Sequence, residues 1–469
     1  MKLWQLLAGV PLTGEPYSQE MEITSISYDT RTLLPGALFV ALPGAKTDGS
    51  LYIDEALAKG AAAVVCRRRP QREGVFFTTP DPRRALALLA ENWFGHPGRE
   101  MTLIGVTGTN GKTTTTFLIK EMLEGALKTQ VGLIGTIQNM VGERVLPAHR
   151  TTPESYEVQQ LLREMADSGC THVVMEVSSH ALVQHRVEGL DFSVAAFTNL
   201  TQDHLDYHHT MEEYTNAKKN IFLHQGEGDR LILNYDNEVT RSMAAEAVCP
   251  VTWFSRKERL EEGVYLRDNA IWLTNEMGSR EVLPLSDIQL PGVHNIENYM
   301  AAIAAVDGLV PDKCVRAVAR RFHGVEHRIE LVRELDGVKY YNDSIGTSPS
   351  RTTACLESFN QKIILIAGGY DKGVPFTQLG VEIVGHVKAL FLTGNTAGAI
   401  RQAVEQAPGY AESGMILAET EDLAAAVAAA RQAAKPGDVV VLSPACAAFD
   451  HFKNFMERGQ VFKKLVQEL

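Results

Sequence analysis

The chain has 469 residues, 45% hydrophobic and 22% charged, the makeup of an ordinary globular protein with core enough for two to four domains. Fifty-seven acidic against 45 basic residues give a formal net charge of −12, which argues against a nucleic-acid-binding surface. No stretch approaches 18 consecutive apolar residues, so no membrane-spanning helix is expected. The cysteines (Cys66, Cys170, Cys249, Cys314, Cys355, Cys446) are scattered without a C-x-x-C pair, which suits a reducing cytosol and gives neither a disulfide framework nor a zinc site. No signal peptide is evident at the N-terminus.

Residues 1–98 read as a small α/β unit. Leu38–Leu42 and Ala62–Cys66 are short apolar runs bounded by Gly and Pro, hence buried strands, with a helix over Tyr52–Lys59 between them. His96-Pro97-Gly98 supplies a break. A second part, 99–326, carries strands over His172–Val177 and Val194–Thr198. Their alternation with helical segments predicts a mainly parallel sheet covered by helices. The third part, 327–469, repeats the alternation with strands over Lys362–Ala367, Ala389–Thr393 and Asp438–Leu442 and an Ala-rich helix over Glu421–Ala434. This order is Rossmann-like but lacks G-x-G-x-x-G after its first strand, so a dinucleotide is not implied.

The most informative segment is Gly105 to Thr114. Leu103-Ile104 end a buried strand, and Phe117, Leu118, Ile119, Met122 and Leu123 recur at helical spacing after it. A glycine-rich turn between strand and helix leaves backbone N–H groups unshielded. With the helix N-terminus and the Lys112 ammonium they can hold a polyphosphate, and Thr113 is placed to put its hydroxyl on an accompanying magnesium ion. The usual G-x-x-x-x-G-K-[ST] spacing fails by one residue, since the early glycine is Gly105 and not residue 106. Glu176 ends an apolar strand, where either a second magnesium ligand or a solvated strand end is expected. The Asp- and His-rich segment 198–208 matches no zinc pattern and offers His204 as a single ligand. Lys218 and Lys219 lie on a helical segment, where a lysine pair is normally a solvated face. Arg31, Thr151-Thr152-Pro153, Gln184 and Arg186 suit an anionic substrate and equally suit a surface. From residues alone this is an ATP-using or GTP-using α/β enzyme, open between phosphoryl transfer and ATP-driven ligation.

The Thr107–Thr114 loop, Thr151-Thr152-Pro153, Met175-Glu176-Val177-Ser178-Ser179-His180, Gln184-His185-Arg186, Asn199–His208 and Leu290–Asn295 together resemble the Mur ligases, which assemble the peptide stem of peptidoglycan. The resemblance covers essentially the whole chain. It implies three α/β domains: an N-terminal UDP-binding domain (1–98), a central P-loop ATPase-like domain with a parallel sheet (99–326) and a C-terminal Rossmann-like domain (327–469). Residues 1 to about 300 are similar to the subfamily that adds the third residue to UDP-N-acetylmuramoyl-L-alanyl-D-glutamate. The third domain departs from it: His327–Glu330, Tyr341–Ser344, Gly368–Lys372 and Ser443–Phe455 resemble the D-glutamate-adding subfamily, although Ala448 stands where those enzymes usually have Ser. Because the first match is the longer, the expectation is addition of meso-diaminopimelate or L-lysine. D-Glutamate addition to UDP-N-acetylmuramoyl-L-alanine is the alternative, and an ATP-binding scaffold without turnover is a third reading.

The resemblance further implies an acyl-phosphate route using ATP as co-substrate and two magnesium ions. Lys112, Glu176, His204 and a carbamylated Lys218 would be catalytic, with Thr113, Glu176, His204 and Lys218 as metal ligands. ATP would be held by Gly108, Thr109, Asn110, Gly111, Lys112, Thr113 and Thr114, with Asn295 and Asn298 near adenine and Arg328 and Asp343 from the third domain. Thr30 (usually Ser), Arg31, Thr151, Thr152, Ser179, Gln184 and Arg186 would bind the UDP-muramoyl substrate, and Lys372 and Phe455 the amino acid. Closure of the third domain should assemble the site and exclude water. The expected setting is a cytoplasmic monomer serving cell-wall building, and through it cell shape and division.

Overall fold

The computed structural model describes every residue except Glu15, Ala45 and Lys46. The chain divides into two compact units: Met1–Pro284 with Glu297–Val318, and Leu285–Ile296 with Ala319–Leu469.

The first unit holds two sheets. The smaller is built from β1 (Thr13–Gly14), β2 (Ile26–Ser27), β3 (Leu38–Val40), β4 (Ala63–Cys66) and β5 (Phe76–Thr78), in the order β1-β5-β4-β3-β2. Every residue of β3 and β4 is buried, which is why they read as unbroken apolar runs. The helix Pro82–Phe94 packs on this sheet through Ala85, Leu86 and Leu89. Its start is set by Asp81, whose carboxylate accepts from the Arg83 and Arg84 N–H groups, and by Pro82, which has no N–H to satisfy. Gly95, at φ 74°, ends it.

The larger sheet has eleven strands: β6 (Thr102–Thr107), β7 (Val131–Ile134), β8 (Gln138–Val141), β9 (Arg144–Pro147), β10 (His172–Glu176), β11 (Val194–Phe197), β12 (Arg230–Asn234), β13 (Val251–Ser255), β14 (Gly263–Arg267), β15 (Ala270–Asn275) and β16 (Gly278–Pro284). Their order is β16-β15-β14-β13-β12-β11-β6-β10-β7-β8-β9. Seven central strands, β14 to β7, are parallel; β15-β16 and β8-β9 add antiparallel ribbons at either flank. Register brings Glu176 opposite Val106 and Phe197 opposite Thr107, so the carboxyl ends of β10, β6 and β11 are level. In a parallel sheet that edge collects the loops that bind ligands. The ribbon β14-β15 turns at Asp268 and Asn269, both at positive φ, as a two-residue hairpin requires.

The second unit has a six-stranded sheet in the order β17-β18-β22-β19-β20-β21. The strands are β17 (Glu330–Leu335), β18 (Val338–Asn342), β19 (Ile363–Ala367), β20 (Val387–Leu392), β21 (Ile416–Glu419) and β22 (Val439–Leu442). All pairings except β17-β18 are parallel. Alternation sorts β19 cleanly. Ile363 and Leu365 pack with Leu379, Ile383 and Ile400 on one face, and Ile364 and Ile366 with Ala426, Ala430 and Phe462 on the other. Among the described residues no helix is long and apolar enough to cross a membrane.

Candidate active site

In the first unit, β6 runs into the turn Gly108–Gly111 and then into the helix Lys112–Leu127. Gly108 and Gly111 sit at φ 136° and 87°. A Cβ would lie 2.0 Å from Thr198 Oγ1 at Gly108 and 2.2 Å from Asn298 Oδ1 at Gly111. Both glycines are therefore required by space as well as by conformation. The turn is clamped from β11's end: Asn199 Oδ1 accepts from the Asn110 N–H at 2.9 Å, and Thr198 Oγ1 donates to Asn110 O at 2.5 Å. Lys112 Nζ donates to the carbonyls of Gly108 (2.8 Å) and Thr109 (2.9 Å). Thr109 Oγ1 meets the Tyr214 hydroxyl at 3.2 Å.

Glu176, 1% exposed at the end of β10, faces this turn. Its carboxylate accepts from Thr113 Oγ1 (2.9 Å), the Thr136 N–H (2.8 Å) and Thr136 Oγ1 (3.0 Å). It is thus a buried carboxylate rather than a solvated strand end. Thr136 Oγ1 also meets Thr151 Oγ1 at 3.1 Å, where it accepts from the Thr151 hydroxyl, which ties the Thr151-Thr152 segment to the same point. Thr136 was not anticipated from the sequence; its only signal is its place just past the carboxyl end of β7.

Lys218 is 1% exposed, against the solvated face its spacing suggested. Its amine donates to Gly108 O (2.9 Å) and Thr107 Oγ1 (3.3 Å) and lies 4.9 Å from the Tyr214 ring centre. Burial, then the nearby Lys112 charge, holds its pKa well below the ordinary lysine range. His204 is half exposed at φ 53°, with its ring 6.3 Å from Tyr214 and 5.0 Å from His180. Tyr214 therefore links the Gly108–Gly111 turn, Lys218 and His204. Ser179, 1% exposed, meets His208 Nε2 at 2.9 Å.

Arg186 is held by Thr152 O (2.9 Å), Gln184 Oε1 (2.7 Å) and Glu154 (3.1 Å). Burial lowers its pKa while Glu154 opposes the shift. Glu154 also pairs with Arg83 and Arg150, so three guanidiniums share one carboxylate and the cluster is net positive. Thr30 is buried, whereas the Arg31 side chain is 85% exposed and paired with Asp29 at 2.5 Å. Asn298 is buried with Oδ1 near Thr115 Oγ1, at 3.4 Å.

The second unit contains Asn295, Arg328, Asp343, Lys372 and Phe455. Asn295 Nδ2 donates to Pro291 O at 2.6 Å. Burial pushes the Asp343 carboxyl up to about 6, while the Ser443 hydroxyl at 2.7 Å and the Arg328 charge oppose the shift. Phe455 packs edge-on against His327, with ring centres 6.0 Å apart. Arg458, 3% exposed, spends its donors on Ser344 Oγ and O and on the carbonyls of Cys446 and Ala447.

The chain matches three family descriptions: the Mur ligase family catalytic domain over residues 22–91, the Mur ligase middle domain over 106–306, and the Mur ligase glutamate ligase domain over 327–446. It is similar to the UDP-N-acetylmuramoylalanine–D-glutamate ligase of Acetivibrio thermocellus, with 45% identity over 370 residues, 78% of this chain and 74% of that protein. The enzyme of that name from Clostridium botulinum is 42% identical over 368 residues, with the same coverage. A solved UDP-N-acetylmuramoyl-L-alanyl-D-glutamate–2,6-diaminopimelate ligase covers 100% of this chain and 99% of its own at a TM-score of 0.70 and 23% identity, which is a likeness of fold.

The D-glutamate ligases overturn the expectation that diaminopimelate or lysine is added as a third residue. That expectation weighed the longer matching stretch, residues 1 to about 300. The residues expected to hold the incoming amino acid, Lys372 and Phe455, lie outside it, in a domain whose motifs already departed from the third-residue pattern. The three matched domains and the 45% identity together place this chain in the Mur ligase family, the ATP-dependent amide ligases of peptidoglycan synthesis.

Proposed function

We propose that the chain joins D-glutamate to UDP-N-acetylmuramoyl-L-alanine in the cytoplasm, as a monomer of three domains spanning 1–98, 99–326 and 327–469. The observation that carries this reading is the 45% identity with a D-glutamate ligase. The D-glutamate-type motifs of residues 327–455 support it.

In this reading the backbone N–H groups of 108–114 and the Lys112 ammonium hold the triphosphate, and Lys112 leaves its carbonyl partners to do so. Arg186, with Thr151 and Thr152, brings up the alanyl carboxylate. One carboxylate oxygen attacks the γ-phosphorus and ADP departs, leaving an acyl phosphate. The amine of D-glutamate then attacks the acyl carbon, its extra proton goes to solvent, and phosphate leaves with the oxygen it gained. Carboxylate and triphosphate repel, so the positive cluster around Glu154 and the charge of Lys112 lower the cost of their approach.

The donor set fits magnesium. Thr113 Oγ1 and Glu176, hydrogen-bonded at 2.9 Å beside the Gly108–Gly111 turn, are hard oxygen donors that would hold the ion. The Lys218 amine, held toward its neutral form, is the state that adds carbon dioxide: nitrogen attacks the carbon, a proton goes to solvent, and a carbamate oxygen donor results. With His204 it would hold a second ion. Magnesium at these positions supplies charge screening between the two anionic substrates.

The test is phosphate release from purified protein with each UDP-muramoyl precursor crossed with each amino acid. Turnover is expected with the L-alanyl precursor and D-glutamate. Release with a different pair, or with none, overturns the reading.

A further inference from the structure

Three cations converge on one short segment of the second unit. Arg458 Nη2 donates to Ser344 O at 2.9 Å, Arg351 Nη1 to Ile345 O at 3.3 Å, and Lys372 Nζ to Thr347 O at 3.4 Å. Among the described residues no carboxylate lies within 4.0 Å of any of the three. Arg458 is buried and its donors are taken by main-chain and hydroxyl oxygens, so it serves to pin Ser344 against Cys446 and Ala447. Arg351 and Lys372 are different. Both are exposed, and each makes a single long bond, which leaves most of a guanidinium's five donors and an ammonium's three for a ligand. Their charges are close enough that Arg351 lowers the Lys372 pKa, with partial burial the larger cause.

Arg351 is also oddly placed for a purely structural residue. It is the third residue of the helix Pro349–Leu356, whose first turn holds no acidic residue. A cation there opposes the helix dipole, so the position is unfavourable unless an anion joins it. Ala448, 2% exposed and next to the Ala447 carbonyl that Arg458 grips, offers only a methyl and no polar atom to a ligand.

We propose that Arg351, together with Lys372, recognises the side-chain carboxylate of the incoming amino acid and so selects an acidic amino acid. This rests on the D-glutamate reading above. A guanidinium presents a planar fork that matches both oxygens of a carboxylate.

Steady-state kinetics with D-glutamate and D-glutamine, on wild type, Arg351→Ala and Arg351→Lys, test the idea. A charge-assisted hydrogen bond corresponds to about tenfold to a hundredfold in affinity. Arg351→Ala is therefore expected to raise KM for D-glutamate by that factor, with a smaller change in kcat and in KM for ATP. Its preference for D-glutamate over D-glutamine should collapse, and Arg351→Lys should recover part of both. If wild type turns over D-glutamate and Arg351→Ala keeps its KM and its preference within twofold, this inference alone fails. If wild type accepts a diamino acid and not D-glutamate, the underlying reading fails with it.

Discussion

Replacing Lys218 by Met separates the chemical role of this amine from its packing. Methionine keeps the apolar stem in a site that is 1% exposed and removes only the nitrogen. Two hydrogen bonds go, to Gly108 O and to Thr107 Oγ1. Gly108 O still accepts from Lys112, so it is not orphaned. At about 1 kcal/mol net for each bond the loss is about 2 kcal/mol at most, and relief from burying an amine offsets part of it. At about 2–4 °C per kcal/mol for a domain of this size, the melting temperature should shift by only a few degrees. Turnover should fall by about 10²–10³ or more, the scale of losing one preorganised electrostatic contact. Circular dichroism melts and phosphate release measure the two effects side by side. The depressed pKa adds a sign. If the free amine forms the proposed carbamate, activity in buffer stripped of carbon dioxide should drop, and drop further as pH falls through that lowered pKa. Lys218→Ala with added formate or acetate should regain part of the rate. A Met variant with wild-type turnover, or one that unfolds outright, would refute this account of Lys218.

Asp343→Asn should raise stability at pH 7. The native carboxyl, near 6, binds a proton that the unfolded chain releases near 3.8, so stability falls as pH rises between those values, by about 3 kcal/mol in all. Melts across pH 4–7 should show that dependence in wild type and its loss in the variant. Gly108→Ala places a methyl 2.0 Å from Thr198 Oγ1 at a φ of 136°, so calorimetry should show ATP affinity reduced at least tenfold with the rest of the fold retained. Thr136→Val removes two hydrogen bonds, to Glu176 and Thr151, and should cut kcat about tenfold to a hundredfold while ATP binding persists. An unchanged kcat would show that Thr136 does not orient the carboxylate.

What the sequence showed plainly was local. The strand–glycine turn–helix around Gly108–Lys112 is written in consecutive residues, and the apolar runs of β3, β4, β10, β11, β19 and β22 are short-range patterns that tertiary packing did not override. The flanking ribbons were not anticipated, because antiparallel strands such as β16, Gly278–Pro284 with Arg280 and Glu281, carry no unbroken apolar run. Lys218 is the sharpest contrast. Its helix reads as polar, yet Tyr214, Ala217 and Lys218 are buried, and Lys218 donates to Thr107 and Gly108, more than a hundred positions away. Arg31 lies at the surface, paired with a neighbour two residues earlier, Asp29, as one of the two readings of its sequence allowed. The incoming amino acid is not legible from length of match, because the residues expected to hold it, Lys372 and Phe455, lie outside the longer matching stretch.

The measurement closest to the central claim follows oxygen. UDP-N-acetylmuramoyl-L-alanine labelled with ¹⁸O in its carboxylate is turned over with ATP and D-glutamate, and the released phosphate is examined by mass spectrometry. One ¹⁸O in phosphate for each amide formed is the predicted result, because the oxygen that attacks phosphorus leaves with it. Amide formation with unlabelled phosphate, or no amide at all, would contradict the account.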